Sequence, residues 1–585
     1  MSARNRHHPH APSSAGRPTV SVARRQAFAL YATGKLTQAL EQAMTVARPD
    51  ADLLNLAATC HTRLGQPSQA EAAYRQALRL QPNHADVHYN LGNLLQNQNR
   101  LAEAETAYRQ ALDTRPDHAN TQFNLGVLLQ GLHRATEAEA IYRQLLHLQP
   151  HHIDGCFNLG TLLQAQKRSP EAEAAYRQVI LLQPDHLPAH FNLGNLLQGA
   201  HRADEAEIVY RQLLHLQPDH AHAQINLGNL LQGQHRPIEA EAAYRHALRL
   251  QPDLADAHLN LGIVLREQKA YAAAEAAYRQ VILLQPQYVK AYLNLGNLLQ
   301  DRQRLPEAEA AYRHAILLQP DLADAHFNLG YILRKQGRLA EAMPCYRHAL
   351  AMDPTDPFGA QLSLAALGYA PLPRRASEAR LDKIYAERAD HWDQDAHYHG
   401  AALVAAALRG ENGQTGLDIL DAGCGTGMVG VLLRDLAKRL DGIDLSADML
   451  KKARAKGVYD QVEQGDLESF MVNHPQQYDA IACAATLIHF GHLSSVFLAA
   501  ARALRANGRF VFTLFSHEVE PGGEEVVVNP MEGLEHGGCY AHGQAYIVRT
   551  AEAAGFVVET LQQAIHEADA TPVLCFVVVL RLRPV

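Results

Sequence analysis

Apolar residues over most of the chain fall in a pattern that returns every 34 positions. Leu91, Leu94 and Leu95 are spaced three and four apart, and Ala104, Tyr108, Ala111 and Leu112 follow at the same spacing. That spacing gathers apolar side chains on one face of a helix, so each period predicts two amphipathic helices. The triplet Asn-Leu-Gly keeps the register, recurring at Asn90, Asn124, Asn158, Asn192, Asn226, Asn260, Asn294 and Asn328. A fixed period of this length marks one supersecondary unit stacked many times, not a single compact core.

Nine full units start at Ala51, Ala85, Ala119, Ile153, Leu187, Ala221, Ala255, Val289 and Ala323. A shorter, degenerate unit precedes them from Val20, and an apolar segment from Pro357 to Gly368 is expected to cap the last one. Small residues at positions 8 and 20 let paired helices approach closely. Tyrosine at position 24 is expected to fill the space between units, and proline at position 32 to end the second helix. Eight glycines inside helices together cost about 8 kcal/mol, which close packing must offset. These positions resemble the tetratricopeptide repeat over residues 20–356, although position 4 is histidine, glutamine, cysteine or tyrosine where that family often has tryptophan.

Asparagine at position 6 is joined by a second at Asn93, Asn195, Asn229 and Asn297, three residues further along the same helix face. By resemblance the first helices line a concave side, and the amides form a ladder similar to that of the O-linked N-acetylglucosamine transferases. An amide both donates and accepts, so Asn90 through Asn328 are candidate contacts for the backbone of a protein or peptide partner. The other reading is that each bonds the neighbouring unit and sets the stacking. His88, His190, His258 and His326 sit on different units and read as packing residues, not metal ligands.

The period stops near Asp356, and Tyr369–Ser377 reads as a boundary. The expected organisation is a disordered tail at 1–19, repeats at 20–356, a cap and linker at 357–377, and a second domain at 378–585. Helical pattern resumes at Glu378 and runs through GAALVAAAL. The stretch LDILDAGCGTG then reads as strand followed by glycine loop, with helical spacing again in VGVLLRDLAKRL. Further strands are expected to end at Asp444, before Asp466, and at Cys483, with VLCFVVVLRL closing the sheet. This set resembles the class I S-adenosylmethionine-dependent methyltransferases, and the whole chain resembles predicted bacterial methyltransferases carrying tetratricopeptide repeats. The fold class implied is an α-solenoid followed by an α/β Rossmann-like domain with a mostly parallel seven-stranded sheet. By that resemblance Asp421, Gly423, Gly425, Gly427, Asp444, Met449, Asp466 and Leu467 surround S-adenosylmethionine.

For methyl transfer the candidates are His489, Tyr540 and His542, with His489 first because it follows the fourth strand; His517 is a further candidate. Cys424 reads as a packing residue. Neither NPPY nor Pro-Cys stands after the fourth strand, which argues against nucleic-acid base methylation. Net charge of −8, with no basic stripe, gives no nucleic-acid partner. No apolar run approaches the ~18 residues of a membrane span. Seven scattered cysteines without CxxC argue against structural zinc and suit a reducing cytoplasm. The N-terminal histidines His7, His8 and His10 read as part of the tail. The functional expectation is methyl transfer with repeats that recruit a protein or peptide. A small-molecule, lipid or glycan methyltransferase and a non-catalytic, cofactor-sensing scaffold are the alternatives.

Overall fold

The computed structural model describes residues 19–389, 392–394, 398–410, 413–518, 523–529, 539–567 and 573–584. The tail histidines lie outside these. The chain forms two compact units, 1–268 and 269–585.

In the first unit, helices Val20–Ala32 and Leu36–Met44 form the degenerate hairpin. From Ala51 onward, first helices of 13 residues alternate with second helices of 14, as in Ala85–Asn97 and Leu101–Thr114. Glycine at position 8 lies under the tyrosine of its own unit: a Cβ on Gly92 would stand 2.5 Å from the Tyr108 ring. The tyrosine therefore fills the gap between the two helices of one repeat, where the sequence pattern predicts a place between repeats. Position 4 also has a local task. His88 and His190 bond the carbonyl oxygens of Pro82 and Pro184, at 2.8 and 2.9 Å. Histidine is thus a packing residue that also satisfies the carbonyl left by the helix-ending proline. On the other side of the helices, Arg202 bridges Glu173 of the preceding repeat and Glu205 of its own, a pattern repeated at Arg100, Arg134, Arg168 and Arg236.

The second unit continues with helices from Tyr271–Leu284 to Leu339–Met352, followed by the short capping helix Ala360–Ala366. Helices Glu378–Arg388 and Gly400–Arg409 lead into a sheet of nine strands among the described residues. These are β1 (Leu417–Ala422), β2 (Ala437–Asp444), β3 (Gln461–Gln464), β4 (Tyr478–Cys483), β5 (Leu504–His517), β6 (Val526–Asn529), β7 (Cys539–Gly543), β8 (Phe556–Glu567) and β9 (Val573–Leu582). Seven of them give the expected core, in the order β3-β2-β1-β4-β5-β9-β8. Strands β3 to β5 run parallel, and β9 is antiparallel to both neighbours. The two extra strands, β6 and β7, form a hairpin that pairs with the last residues of β5, Phe515–His517.

Both sheet faces are covered, as parallel sheets require. Ile419, Leu440, Val511 and Val579 pack under helix Gly400–Arg409. Leu420, Ile443, Ile481 and Phe512 pack on the other face, around Phe497. The helical spacing expected through Leu440 gives way early. The helix ends at Leu433 and β2 begins at Ala437, because Leu440 and Ile443 are buried only as a strand beside β1.

Candidate functional site

A cleft of about 930 Å³, counting space open to solvent, lies at the carboxyl ends of β1, β2 and β4. Loops leave the sheet there in opposite directions, so ligands of open α/β sheets bind at this edge. Gly423 and Gly425 line it, and both have φ in the left-handed region, at 80° and 54°. A Cβ on Gly423 would collide with the Thr486 side chain at 2.1 Å. Only bare backbone fits there, which leaves the loop open to close approach.

Asp444 ends β2 and faces the cleft. Its two carboxylate oxygens accept the N–H groups of Gly425 and Ser446, each at 2.9 Å. Each oxygen keeps a further lone pair for a hydroxyl donor. Burial raises its pKa above the ordinary carboxylate value, against the pull of those N–H groups. Met449, Asp466 and Leu467 complete this part of the wall. Asp466 caps the helix Leu467–Asn473 through the Ser469 N–H at 2.9 Å and is also ion-paired with Arg375. Burial would raise this carboxyl, but the Ser469 bonds and Arg375 outweigh it and hold the pKa low.

The remaining candidates from the glycine motif stand behind the wall. Asp421 is fully buried, accepts the Tyr459 hydroxyl at 2.7 Å, and is pushed up to about 7, chiefly by burial. Gly427, at φ 90°, starts the helix Met428–Leu433. Neither is among the residues lining the cleft. Cys424 does line it, but burial raises its thiol well above the ordinary value, in keeping with a packing role.

His489 lines the cleft beyond β4 and is only 6% exposed. Its Nε2 is 2.6 Å from the Tyr385 hydroxyl, and its Nδ1 is 4.0 Å from Cys539 Sγ. Burial, then Arg380 and Arg388, lowers its pKa to about 3, so the imidazole is neutral near pH 7. The other three candidates are not brought to the cleft. Tyr540 is buried and donates its hydroxyl to the Pro373 carbonyl at 2.8 Å. His542 is buried against the Tyr546 ring, 5.7 Å between centroids. His517 bonds the Glu524 carbonyl at 3.0 Å. Tyr540 and His542 sit on β7, whose pairing with β5 turns them into the domain's interior.

Sequence reasoning missed Arg375, Tyr385, Trp392 and Tyr398, which line the same cleft. The three aromatics adjoin one another, with centroids 5.8 and 5.6 Å apart. A single tryptophan within the helical stretch before β1 was the one available signal. Ala485, also lining the cleft, holds φ 56° without being glycine; such backbone strain concentrates at functional loops.

Comparison with known proteins bears on both parts of the chain. Residues 420–512 match the family described as a methyltransferase domain. Residues 61–125, and overlapping segments between 157 and 357, match families described as tetratricopeptide repeats. The chain joins tetratricopeptide repeats to a methyltransferase domain. The ubiquinone biosynthesis O-methyltransferase of Klebsiella pneumoniae is 25% identical over 203 residues, covering 32% of this chain and 81% of that protein. The dTDP-3-amino-3,6-dideoxy-alpha-D-glucopyranose N,N-dimethyltransferase of Streptomyces fradiae is 30% identical over 183 residues, 31% of this chain and 64% of that protein. The ubiquinone biosynthesis O-methyltransferase of Bordetella parapertussis is 30% identical over 144 residues, 23% of this chain and 59% of that protein. In the last two cases the chain spans less than two thirds of the relative's length. Among solved structures, YrrB, a tetratricopeptide-repeat protein with an unusual peptide-binding site, is 23% identical at a TM-score of 0.28. The match covers 31% of this chain and 93% of that one.

In the tetratricopeptide repeats, most position-6 asparagines are engaged with the preceding repeat. Asn124, Asn226 and Asn260 donate to Asn93, Asn195 and Asn229 at 2.7–2.8 Å. Asn90 and Asn328 donate to Asn55 and Asn297 at 3.0 and 3.2 Å. Asn158 and Asn192 follow repeats with Val127 and Thr161 at position 9, and Asn294 follows one with Ile263. There the amide oxygen that would receive them is missing. Asn192 instead reaches the Tyr176 hydroxyl at 3.5 Å. Among the described residues no helix is long and apolar enough to cross a membrane, and all seven cysteines are free.

Proposed function

We propose that this chain is an S-adenosylmethionine-dependent methyltransferase of the cytoplasm whose repeats recruit a protein or peptide. The observation that carries the cofactor reading is the pairing of Asp444 with the bare Gly423–Gly425 loop on one cleft wall. The carboxylate is fixed by two N–H groups and retains acceptor capacity for a ribose diol, while the glycine backbone admits the nucleoside. Met449 and Leu467 offer an apolar bed for a planar base. When bound, S-adenosylmethionine supplies a methyl group already activated by its sulfonium.

The protein's own task is then alignment and exclusion of water. Tyr385 and His489 form a neutral hydroxyl–imidazole pair beside Asp444, able to hydrogen-bond an acceptor's O–H or N–H and hold it in line. The aromatic wall of Tyr385, Trp392 and Tyr398 favours an acceptor with an apolar body. That wall favours a second reading, in which the acceptor is a small molecule and the repeats serve assembly. The internal bonds of five ladder asparagines support the same reading, because one N–H of each of those amides is already engaged by the preceding repeat. The relatives named above are O- and N-methyltransferases by name, which is compatible with either reading.

Titration calorimetry of the full chain with S-adenosylmethionine tests the cofactor assignment. Wild type binds one equivalent, and Asp444→Asn, which keeps one of the two N–H acceptors, binds at least tenfold more weakly with its helix content unchanged. No heat from wild type would leave the non-catalytic scaffold as the surviving reading. Transfer of labelled methyl groups to a capped peptide library, or to a panel of hydroxylated aromatics, separates the two acceptor classes.

A further inference from the structure

The pattern of residues 357–377 predicts a cap and a plain linker, yet this stretch is tied at both ends. Asp356 is buried in the left-handed region at φ 52°, and its carboxylate accepts the Ala360 and Gln361 N–H groups at 2.6 and 3.0 Å. Its carbonyl accepts the Ser377 hydroxyl at 2.7 Å. The Phe358 carbonyl accepts the guanidinium of Arg380 at 3.0 Å, and Arg380 is only 4% exposed. A Cβ on Gly359 would stand 1.7 Å from the Arg380 Nη1, so the turn leaves room for that side chain alone. Lys383 lies over the Phe358 ring at 3.9 Å.

The other end is sewn into the cleft. Arg375 bridges to Phe490 in the manner of a strand, with the Ala376 N–H on the His489 carbonyl at 2.9 Å and the Gly491 N–H on the Arg374 carbonyl at 2.8 Å. The Arg375 side chain reaches Asp466. Helix Glu378–Arg388, which carries Arg380, also presents Glu378, Leu381 and Tyr385 to the cleft. One short segment therefore grips the turn after the last repeat and builds a wall of the site.

We propose that Arg380 is a positioning residue: clasped by the Asp356–Gly359 turn, it sets Tyr385 and Arg375 in the cleft wall, making the cap of the repeats a working part of the methyl-transfer site. This rests on the cofactor reading given above. The clasp acts through the helix and touches neither cofactor nor acceptor. Strain at the cap shifts the wall, and a ligand that fixes the wall tightens the cap.

The full chain carries one tryptophan, Trp392, which lines the cleft beside Tyr385 and reports on the wall by its fluorescence. S-adenosylmethionine is the probe. In wild type it changes Trp392 emission and slows hydrogen exchange at the Ala360 and Gln361 amides by at least threefold. In Gly359→Ala, which displaces the guanidinium, affinity falls about tenfold and the protection at the cap disappears. Arg380→Lys, which keeps the charge, recovers part of both. Equal affinity and undiminished cap protection in Gly359→Ala, with helix content unchanged, overturn the proposal. If Gly359→Ala fails to fold, Ser377→Ala, which removes the bond to the Asp356 carbonyl and the cap on the Arg380 N–H, decides: an unaltered exchange response at Ala360 and Gln361 overturns it. Failure of wild type to bind S-adenosylmethionine would instead strike the cofactor reading beneath it.

Discussion

At the scale of single residues, the glycines and the buried histidines carry the clearest consequences. A Cβ on Gly194 would lie 2.6 Å from the Tyr210 ring, which is itself fully buried. Gly194→Ala gains helix propensity yet overpacks this contact, and overpacking costs about 1–3 kcal/mol. A lowered urea midpoint for the repeats is expected; an unchanged or raised one would show that the tyrosine moves freely. His489 and His542 are held, mainly by burial, at about 3 and about 4, against an ordinary value of 6.5. Between those values the unfolded chain binds protons that the folded chain does not, so stability rises with pH in that window. Their contribution is complete above pH 6.5 and is lost as pH falls toward 4 and then 3. The melting temperature of the methyltransferase domain should therefore fall between pH 7 and pH 5, less steeply in His489→Gln. An identical slope in that variant would assign the effect elsewhere. Asp444 was legible from its distance past the glycine loop. Tyr385 and Arg375 were not, because their roles depend on contacts with His489 and Asp466, both about 90 or more residues away in sequence.

Among elements, the repeats are the most legible part of the chain, since each helix follows from a local period. Even so, the sequence did not say where the tyrosine lies or that position-9 and position-6 asparagines bond each other. Both follow from how neighbouring helices are offset, which no single period encodes. The first helix of most repeats is followed, two residues past its end, by a residue in the left-handed region, such as His201 at φ 58°, whereas two repeats use Gly65 and Gly337 there. Left-handed backbone costs a non-glycine residue about 1 kcal/mol or more. Replacement of His201 by glycine should stabilise the repeats by about 1 kcal/mol, read as a raised urea midpoint; a lowered midpoint would mean that the histidine ring contributes more than the strain. In the sheet, β1, β2 and β4 were legible as apolar runs beside turn residues. The early end of the helix at Leu433 was not, because only pairing with β1 makes residues 437–440 extended. The hairpin β6–β7 was also hidden, and with it the burial of Tyr540 and His542 away from the cleft.

For the whole molecule, the two kinds of architecture meet in a segment that composition alone presents as a linker. Two prolines and two arginines in Tyr369–Ser377 mark a boundary, and the bonds made by Arg374, Arg375, Ala376 and Ser377 close it at both ends. An array of stacked repeats can be lengthened without disturbing its neighbours; its last cap here cannot be removed without unpicking a wall of the cleft. The chemistry of the whole molecule depends on what occupies that cleft. A crystal structure of the full chain grown with saturating S-adenosylhomocysteine tests this directly. The nucleoside is expected beside Gly423 and Gly425, with both ribose hydroxyls on Asp444 and the sulfur directed toward Tyr385 and His489. Density for the ligand elsewhere, or an empty cleft at saturating concentration, would contradict a cofactor site at the Gly423–Asp444 wall.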